Sequence, residues 1–301
     1  WGMDILGRQV AEQLAADLPH LVMTDMCQIR RDTEFTVLGG AVEDGRLLAA
    51  KIAHERVLGG TNSRYTSARD IIDQEALLIT HCRAHGIPMP QVHGKSCHGP
   101  DGLDFIVIDW LEDDHTVPDA FFLGAVLNRL HAMNPPAFEP IAQRGEPLER
   151  MLSTAIVDRA ITITRLTPRD FTLPTTEELL AHLSWPDRRT SLLHMNFGAE
   201  TLPSIEGTIA GIMDWGSALI GPPTLELMGL DEQGLLDDSF LGGYANYEMF
   251  RAPPATETAF RLYSATETAM QFVIDDTDHE QGRKALNRVN FLFEEFARLT
   301  R

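Results

Sequence analysis

The sequence predicts an α+β chain in two lobes, and three observations carry that prediction. Over the first 110 residues, short alternating or continuous apolar runs are separated by turn-forming residues, with one key helix-like stretch among them. From Pro118 onward, apolar residues recur at helical spacing in one segment after another. Proline and glycine punctuate the boundaries, as at Gly86-Ile87-Pro88 and Pro135-Pro136. Residues 1–110 are therefore expected to form a small lobe of antiparallel sheet, and residues 111–301 a mostly helical lobe.

The elements follow in order. A helix is expected over Ile5–Leu18, then strands at Cys27–Ile29, Glu34–Val42 and Leu47–Ile52, the last two joined by the hairpin signal Asp44-Gly45. Gly59–Ser67 is polar and glycine-containing and reads as a loop. The helix Arg69–His85 meets a stop at Gly86, with Pro88 and Pro90 beyond. Gln91–Cys97, a turn at Gly99–Gly102 and the apolar run Asp104–Trp110 complete a five-stranded antiparallel sheet. The acidic stretch Leu111–His115 is the expected hinge. Helices are then expected at Ala120–Met133, Leu148–Leu166, Thr175–Ser184, Asp231–Phe250, Ala255–Asp275 and Gln281–Arg301. The segment between Ser184 and Asp231 reads as loop, short strand, turn, short strand.

Composition bounds the function. With 301 residues, 44% hydrophobic and 23% charged, the chain can bury a stable core without staples. Cys27, Cys82 and Cys97 lack metal-ligand spacing, and no leader sequence is evident, so a reducing cytoplasm is expected. No apolar run approaches the roughly 20 residues of a bilayer span. Trp1-Gly2 ahead of Met3 reads as an added remnant. The net charge of -19, from 44 acidic against 25 basic residues, argues against a nucleic-acid partner held through its phosphates. The same acidity concentrates cationic ligands or simply keeps the chain soluble.

The residues that could carry chemistry fall into two groups. Lys51 lies in the apolar strand Leu-Leu-Ala-Ala-Lys-Ile, and Glu75 lies on the next helix, a spacing suited to a lysine on nucleotide phosphates and a carboxylate that holds it. His194, Asn196, Thr201 and Asp214 form the second group, in Leu-Leu-His-Met-Asn-Phe-Gly-Ala-Glu-Thr and Gly-Ile-Met-Asp-Trp-Gly. Singly, each has a bland reading, an edge lysine, a loop histidine or a turn aspartate. Their order along the chain favours the functional one.

Taken together, these segments resemble the aminoglycoside phosphotransferase and choline-kinase-like family, which has a bilobal protein-kinase-like fold. Leu-Asn-Arg-Leu-His-Ala-Met-Asn-Pro-Pro at 127–136 is similar to the family's Leu-x-x-Leu-His segment, and Gly221–Leu227 to the segment beyond its metal loop. The resemblance implies ATP or GTP and Mg2+ as cofactors. It implies that Lys51 touches the nucleotide phosphates, that Glu75 holds Lys51, and that Asp214 binds the metal. The hinge strand ending in Ile108 and Trp110 would hold the base. His194 would brace the catalytic loop, with Asn196 at the base position and Thr201 at the second metal position.

The departures are chemical. Asn196 stands where the family has aspartate and cannot accept a proton from a hydroxyl. Thr201 offers a hydroxyl in place of an amide oxygen, and Arg30-Arg31-Asp32-Thr33-Glu34 has no glycine with which to approach phosphates. Glu200, in the same loop, is either a substitute base or a solvated glutamate. Glu112, Asp113 and Asp114, with Asp231, Glu232, Asp237 and Asp238, are acidic runs that suit a cationic ligand if they line a cleft and are solvated faces otherwise.

Three functions are therefore expected in turn. The first is a catalytically impaired, pseudokinase-like component that binds a small molecule, peptide or protein partner in a biosynthetic pathway. The second is an active ATP- and Mg2+-dependent O-phosphotransferase acting on a cationic small molecule, as in antibiotic biosynthesis or resistance, or on a peptide hydroxyl. The third is a pocket that binds a metabolite without nucleotide.

Overall fold

The computed structural model describes residues 2–59, 65–98, 102–184, 189–275 and 279–301. Trp1, the middle of the expected Gly59–Ser67 loop and most of the Gly99–Gly102 turn lie outside them. The chain forms two compact units, one built mainly from the first 119 residues with 198–216, the other from residues 120–197 and 217–301.

In the first unit, strands β1 (Thr24–Arg31), β2 (Phe35–Ala41), β3 (Leu47–Ala53), β6 (Val92–Cys97) and β7 (Asp104–Asp109) form an antiparallel sheet in the order β1-β2-β3-β7-β6. Side chains alternate between its faces. Leu38, Leu48, Ala50, Ile52, Phe105 and Val107 take one face, where they share a core with Val10 and Leu14 of helix α1 (Gly2–Asp17). The cross-strand pairs Val37–Lys51, Gly39–Ala49, Lys51–Ile106 and Ala49–Ile108 place these residues on the other face. Helix α2 (Ala68–Ala84) packs against β6 and β7.

The expected loop at Gly59–Ser67 is corrected at its ends. Val57–Gly59 (β4) and Tyr65–Ser67 (β5) pair as short antiparallel strands. Runs of three residues are too short to register as strands by alternation.

The first unit also carries the hairpin of β9 (Ser204–Ile205) and β10 (Thr208–Ile209). Glu206 and Gly207 turn it with φ of 50° and 78°, the positive angles that a tight hairpin turn requires.

The second unit is helical: α3 (Ala120–Ala132), α4 (Leu148–Leu166), α5 (Thr176–Leu183), α6 (Pro223–Glu232), α7 (Asp238–Gly243), α8 (Pro254–Asp275) and α9 (His279–Leu299). Thr175 and Glu178 close α5 with a reciprocal capping box. The short strands β8 (Ser191–Leu193) and β11 (Leu219–Gly221) pair antiparallel.

One expected helix, Asp231–Phe250, is replaced by the end of α6, the short α7 and a 3-10 turn at Tyr247–Phe250. Gly234 at φ 74° and Asn246 at φ 66° take left-handed backbone and break the helical run on either side of α7. Two glycines in this unit sit directly against backbone. A Cβ at Gly243 would lie 1.9 Å from the Phe121 carbonyl oxygen, and one at Gly124 2.1 Å from that of Phe240, so α3 and α7 meet backbone to backbone.

Candidate active site

The site in the first unit is built around Lys51. Its strand position aims the side chain away from the α1 core, and its Nζ donates to Glu75 Oε1 at 2.8 Å and to Asp214 Oδ1 at 3.0 Å. The Phe35 ring lies 4.3 Å below the ammonium, a cation–π contact in a largely dry setting. Burial disfavours the Lys51 charge, but Glu75 and Asp214 outweigh it and raise its pKa. Two carboxylates share one ammonium, so burial and the Asp214 charge push the Glu75 carboxyl up, with Lys51 only partly opposing them.

Helix α2 also fixes the loop that carries Asp214. Glu75 Oε1 accepts the Trp215 N–H at 3.1 Å, and Gln74 Nε2 donates to the Trp215 carbonyl at 2.8 Å and to that of Gly216 at 3.3 Å. Neighbouring side chains of α2 thus hold both sides of residue 215. Asp214, at φ 67°, is held in left-handed backbone between them.

Thr201 belongs to the same unit, and its carbonyl accepts the Met213 N–H at 2.9 Å. Its hydroxyl accepts the Gly198 N–H at 3.0 Å and donates to the Gly198 carbonyl at 3.1 Å, closing a local turn. Glu200 is exposed and pairs with Arg30, whose guanidinium reaches the Glu200 carboxylate at 2.9 Å and its carbonyl at 3.0 Å.

The turn between β1 and β2 uses its own backbone donors. Asp32 N–H donates to the Phe35 carbonyl, and Asp32 Oδ1 accepts the N–H groups of Glu34 at 2.8 Å and Phe35 at 2.7 Å. These amides are therefore engaged within the turn, in the place where a glycine-rich loop turns its amides toward phosphates. Half-buried Glu34 has its carboxyl raised by desolvation, then by Asp32 and Asp214, with Lys51 opposing.

On β7, Ile108 is buried opposite Ala49. The amides of Asp109 and Trp110 bond to the carbonyls of Gln91 and Leu47.

His194 and Asn196 lie in the second unit. His194 is buried, with its ring 4.6 Å from that of Phe197, and its Nδ1 accepts the Asn196 N–H at 3.3 Å. Met195, at φ 65°, donates its N–H to Glu226 Oε1. The other Glu226 oxygen lies 2.8 Å from His131 Nε2, and His131 Nδ1 lies 2.7 Å from the Tyr244 hydroxyl. In a neutral imidazole, a carboxylate facing Nε2 places the proton there and leaves Nδ1 to accept from Tyr244. The sequence reading missed Glu226 and Tyr244, and only an acidic residue inside an apolar helical run signalled the first.

The acidic runs are largely engaged in structure. Asp231 pairs with Arg261, and Glu232 with Arg261 and Arg288. Asp237 caps α7 by accepting the Phe240 N–H. Asp113 and Asp114 accept the backbone N–H groups of Ser204 and Glu206.

A five-stranded sheet bearing a lysine–glutamate pair, with a helical second unit, is the kinase-like architecture. The chain belongs to the phosphotransferase enzyme family, whose model matches residues 61–255. Among solved structures, it is similar to a thermostable mutant of an aminoglycoside phosphotransferase solved with AMP-PNP and hygromycin B. The identity is 16%, the TM-score 0.65, and 95% of this chain and 98% of that one are covered. A candidate fructosamine-3-kinase from Haemophilus somnus gives 14% identity and a TM-score of 0.67, covering 94% and 97%. A macrolide 2'-phosphotransferase gives 15% and 0.55, covering 94% and 96%. No curated protein matches.

The family implies magnesium. Magnesium commonly takes one or two carboxylates and completes its shell with phosphate oxygens and water. Asp214 fits that role for one ion. Thr201 suits a second less well, because its neutral hydroxyl already accepts from and donates to Gly198. Among the described residues no group of three or more His, Cys, Asp or Glu could hold a metal, and no helix is long and apolar enough to cross a membrane.

Proposed function

We propose that this chain is a phosphotransferase-family protein with impaired phosphoryl transfer, retained as a nucleotide-responsive binding component that serves a partner or a biosynthetic pathway. Asn196 carries the reading. A neutral amide at the base position accepts no proton from an acceptor hydroxyl, and general-base help is worth about 10²–10⁴-fold. Two further observations agree with it, the self-satisfied β1–β2 turn and the Thr201 hydroxyl closed on Gly198.

The Lys51–Glu75–Asp214 cluster supports retained ATP binding with one magnesium ion. The aminoglycoside phosphotransferase neighbours solved with AMP-PNP or ADP support the same reading. That cluster also favours a second reading, a slow O-phosphotransferase acting on a small molecule or a peptide hydroxyl. A cationic acceptor loses support, because Asp231 and Glu232 are already neutralised by arginines.

Calorimetric titration with ATP, with and without magnesium, tests the nucleotide site in the parent, Lys51→Ala and Asp214→Ala. Magnesium-dependent binding lost in both variants is expected, and no binding in the parent overturns the nucleotide-responsive part. Acceptor-dependent ATP turnover at ordinary kinase rates in the parent, abolished by Lys51→Ala, overturns impairment. A large gain in turnover in Asn196→Asp is the outcome expected of a site that lacks only its base.

A further inference from the structure

We propose that Trp110 is a built-in plug of the Lys51 face, its indole occupying the apolar surface on which the planar ring of a purine-like ligand would stack. The proposal rests on the nucleotide reading above, and its geometry lies within the first unit. A Cβ placed on Gly39 would come within 2.5 and 2.6 Å of Trp110 Cζ3 and Cε3, and within 2.7 Å of Ile29 Cδ1. The six-membered edge of the indole is therefore seated on the glycine backbone, at a distance that any side chain at position 39 would forbid.

Gly39 stands directly opposite Ala49, and Ala49 is two residues from Lys51 on the same strand. All three share one face of the sheet. The Trp110 N–H bonds to the Leu47 carbonyl at 3.1 Å, which continues the β7 pairing by one residue and fixes the root of the side chain. The rest of that apolar face is covered as well, with Ala49, Ile106 and Ile108 at 4%, 1% and 3% exposure. Trp110 itself keeps partial exposure. A flat aromatic ligand approaching Lys51 must take the place of the indole, so the observed affinity equals the intrinsic affinity scaled by the fraction of molecules with the plug open.

The variants Trp110→Ala and Gly39→Ala remove or evict the plug by independent routes. Adenosine is titrated into the parent and both variants by calorimetry, since it carries the ring without the phosphates. If the ring fills its seat about nine-tenths of the time, about tenfold tighter binding is expected in both variants. Unchanged affinity overturns the proposal. Weaker binding in Trp110→Ala also overturns it, because the indole would then be a stacking platform. If adenosine binds none of the three proteins, ATP with magnesium decides the nucleotide reading, and the aromatic dye 8-anilinonaphthalene-1-sulfonate decides the plug. Dye fluorescence gained in both variants supports it, and no gain overturns it.

Discussion

Lys51→Met keeps the aliphatic stem of the side chain and removes its charge, leaving two carboxylates facing each other. Glu75 is 2% exposed, and its Oε1 also accepts the Trp215 N–H at 3.1 Å. Removing one member of a buried ion pair costs about 3–5 kcal/mol, because the remaining charge stays desolvated. At about 2–4 °C per kcal/mol, the melting temperature should fall by on the order of 10 °C. The sign with pH follows from Glu75. Its folded pKa is already raised, so its contribution favours folding below the ordinary carboxylate range and is lost as pH rises through the folded value. Without Lys51 that rise grows, so the deficit of Lys51→Met should be larger at pH 7.5 than at pH 4.5. Scanning calorimetry at both values, repeated for Lys51→Met/Glu75→Gln, checks it, and the double variant should recover much of the loss. A fall of under about 3 °C, or a double variant less stable than Lys51→Met, would refute the reasoning.

Other outcomes follow from the packing and charge. Gly243→Ala drives a methyl into the Phe121 carbonyl and should cost about 1–3 kcal/mol in urea unfolding. His131→Leu leaves the Glu226 carboxylate and the Tyr244 hydroxyl buried without their ring partner. It should cost about 3 kcal/mol in the same assay, and Tyr244→Phe about half as much. Arg30→Ala breaks a pair whose glutamate is 76% exposed, so the melting temperature should move by no more than about 2 °C. Glu34→Gln removes a carboxyl whose folded pKa is raised, so the variant should gain stability relative to the parent as pH rises from 4.5 to 7.5 in thermal melts.

The sheet and most helices were legible because their signals are local. The apolar run Leu47–Ile52 places Lys51 in a strand and the stop at Gly86 closes α2, while the Lys51–Glu75 pairing is implied by the family resemblance. The 231–250 region misled because its apolar residues keep helical spacing while Gly234 and Asn246 turn the backbone left-handed. Contacts distant in sequence left no local trace. Glu226 serves Met195 from 31 residues away and His131 from 95, and the seat of Trp110 on Gly39 is a tertiary contact. The acidic runs misled in another way, since a count of charges does not show which arginines already answer them.

The Glu226 bridge has a consequence for how this lineage can change. Met195, immediately before residue 196, is held through its backbone amide, and the Asn196 amide is held by the His194 ring. The loop backbone is thus tied at residues 195 and 196 through their amides. Asparagine and aspartate codons differ at one nucleotide, so a carboxylate could arise at position 196 in a single mutational step, on a loop whose backbone is tied from outside.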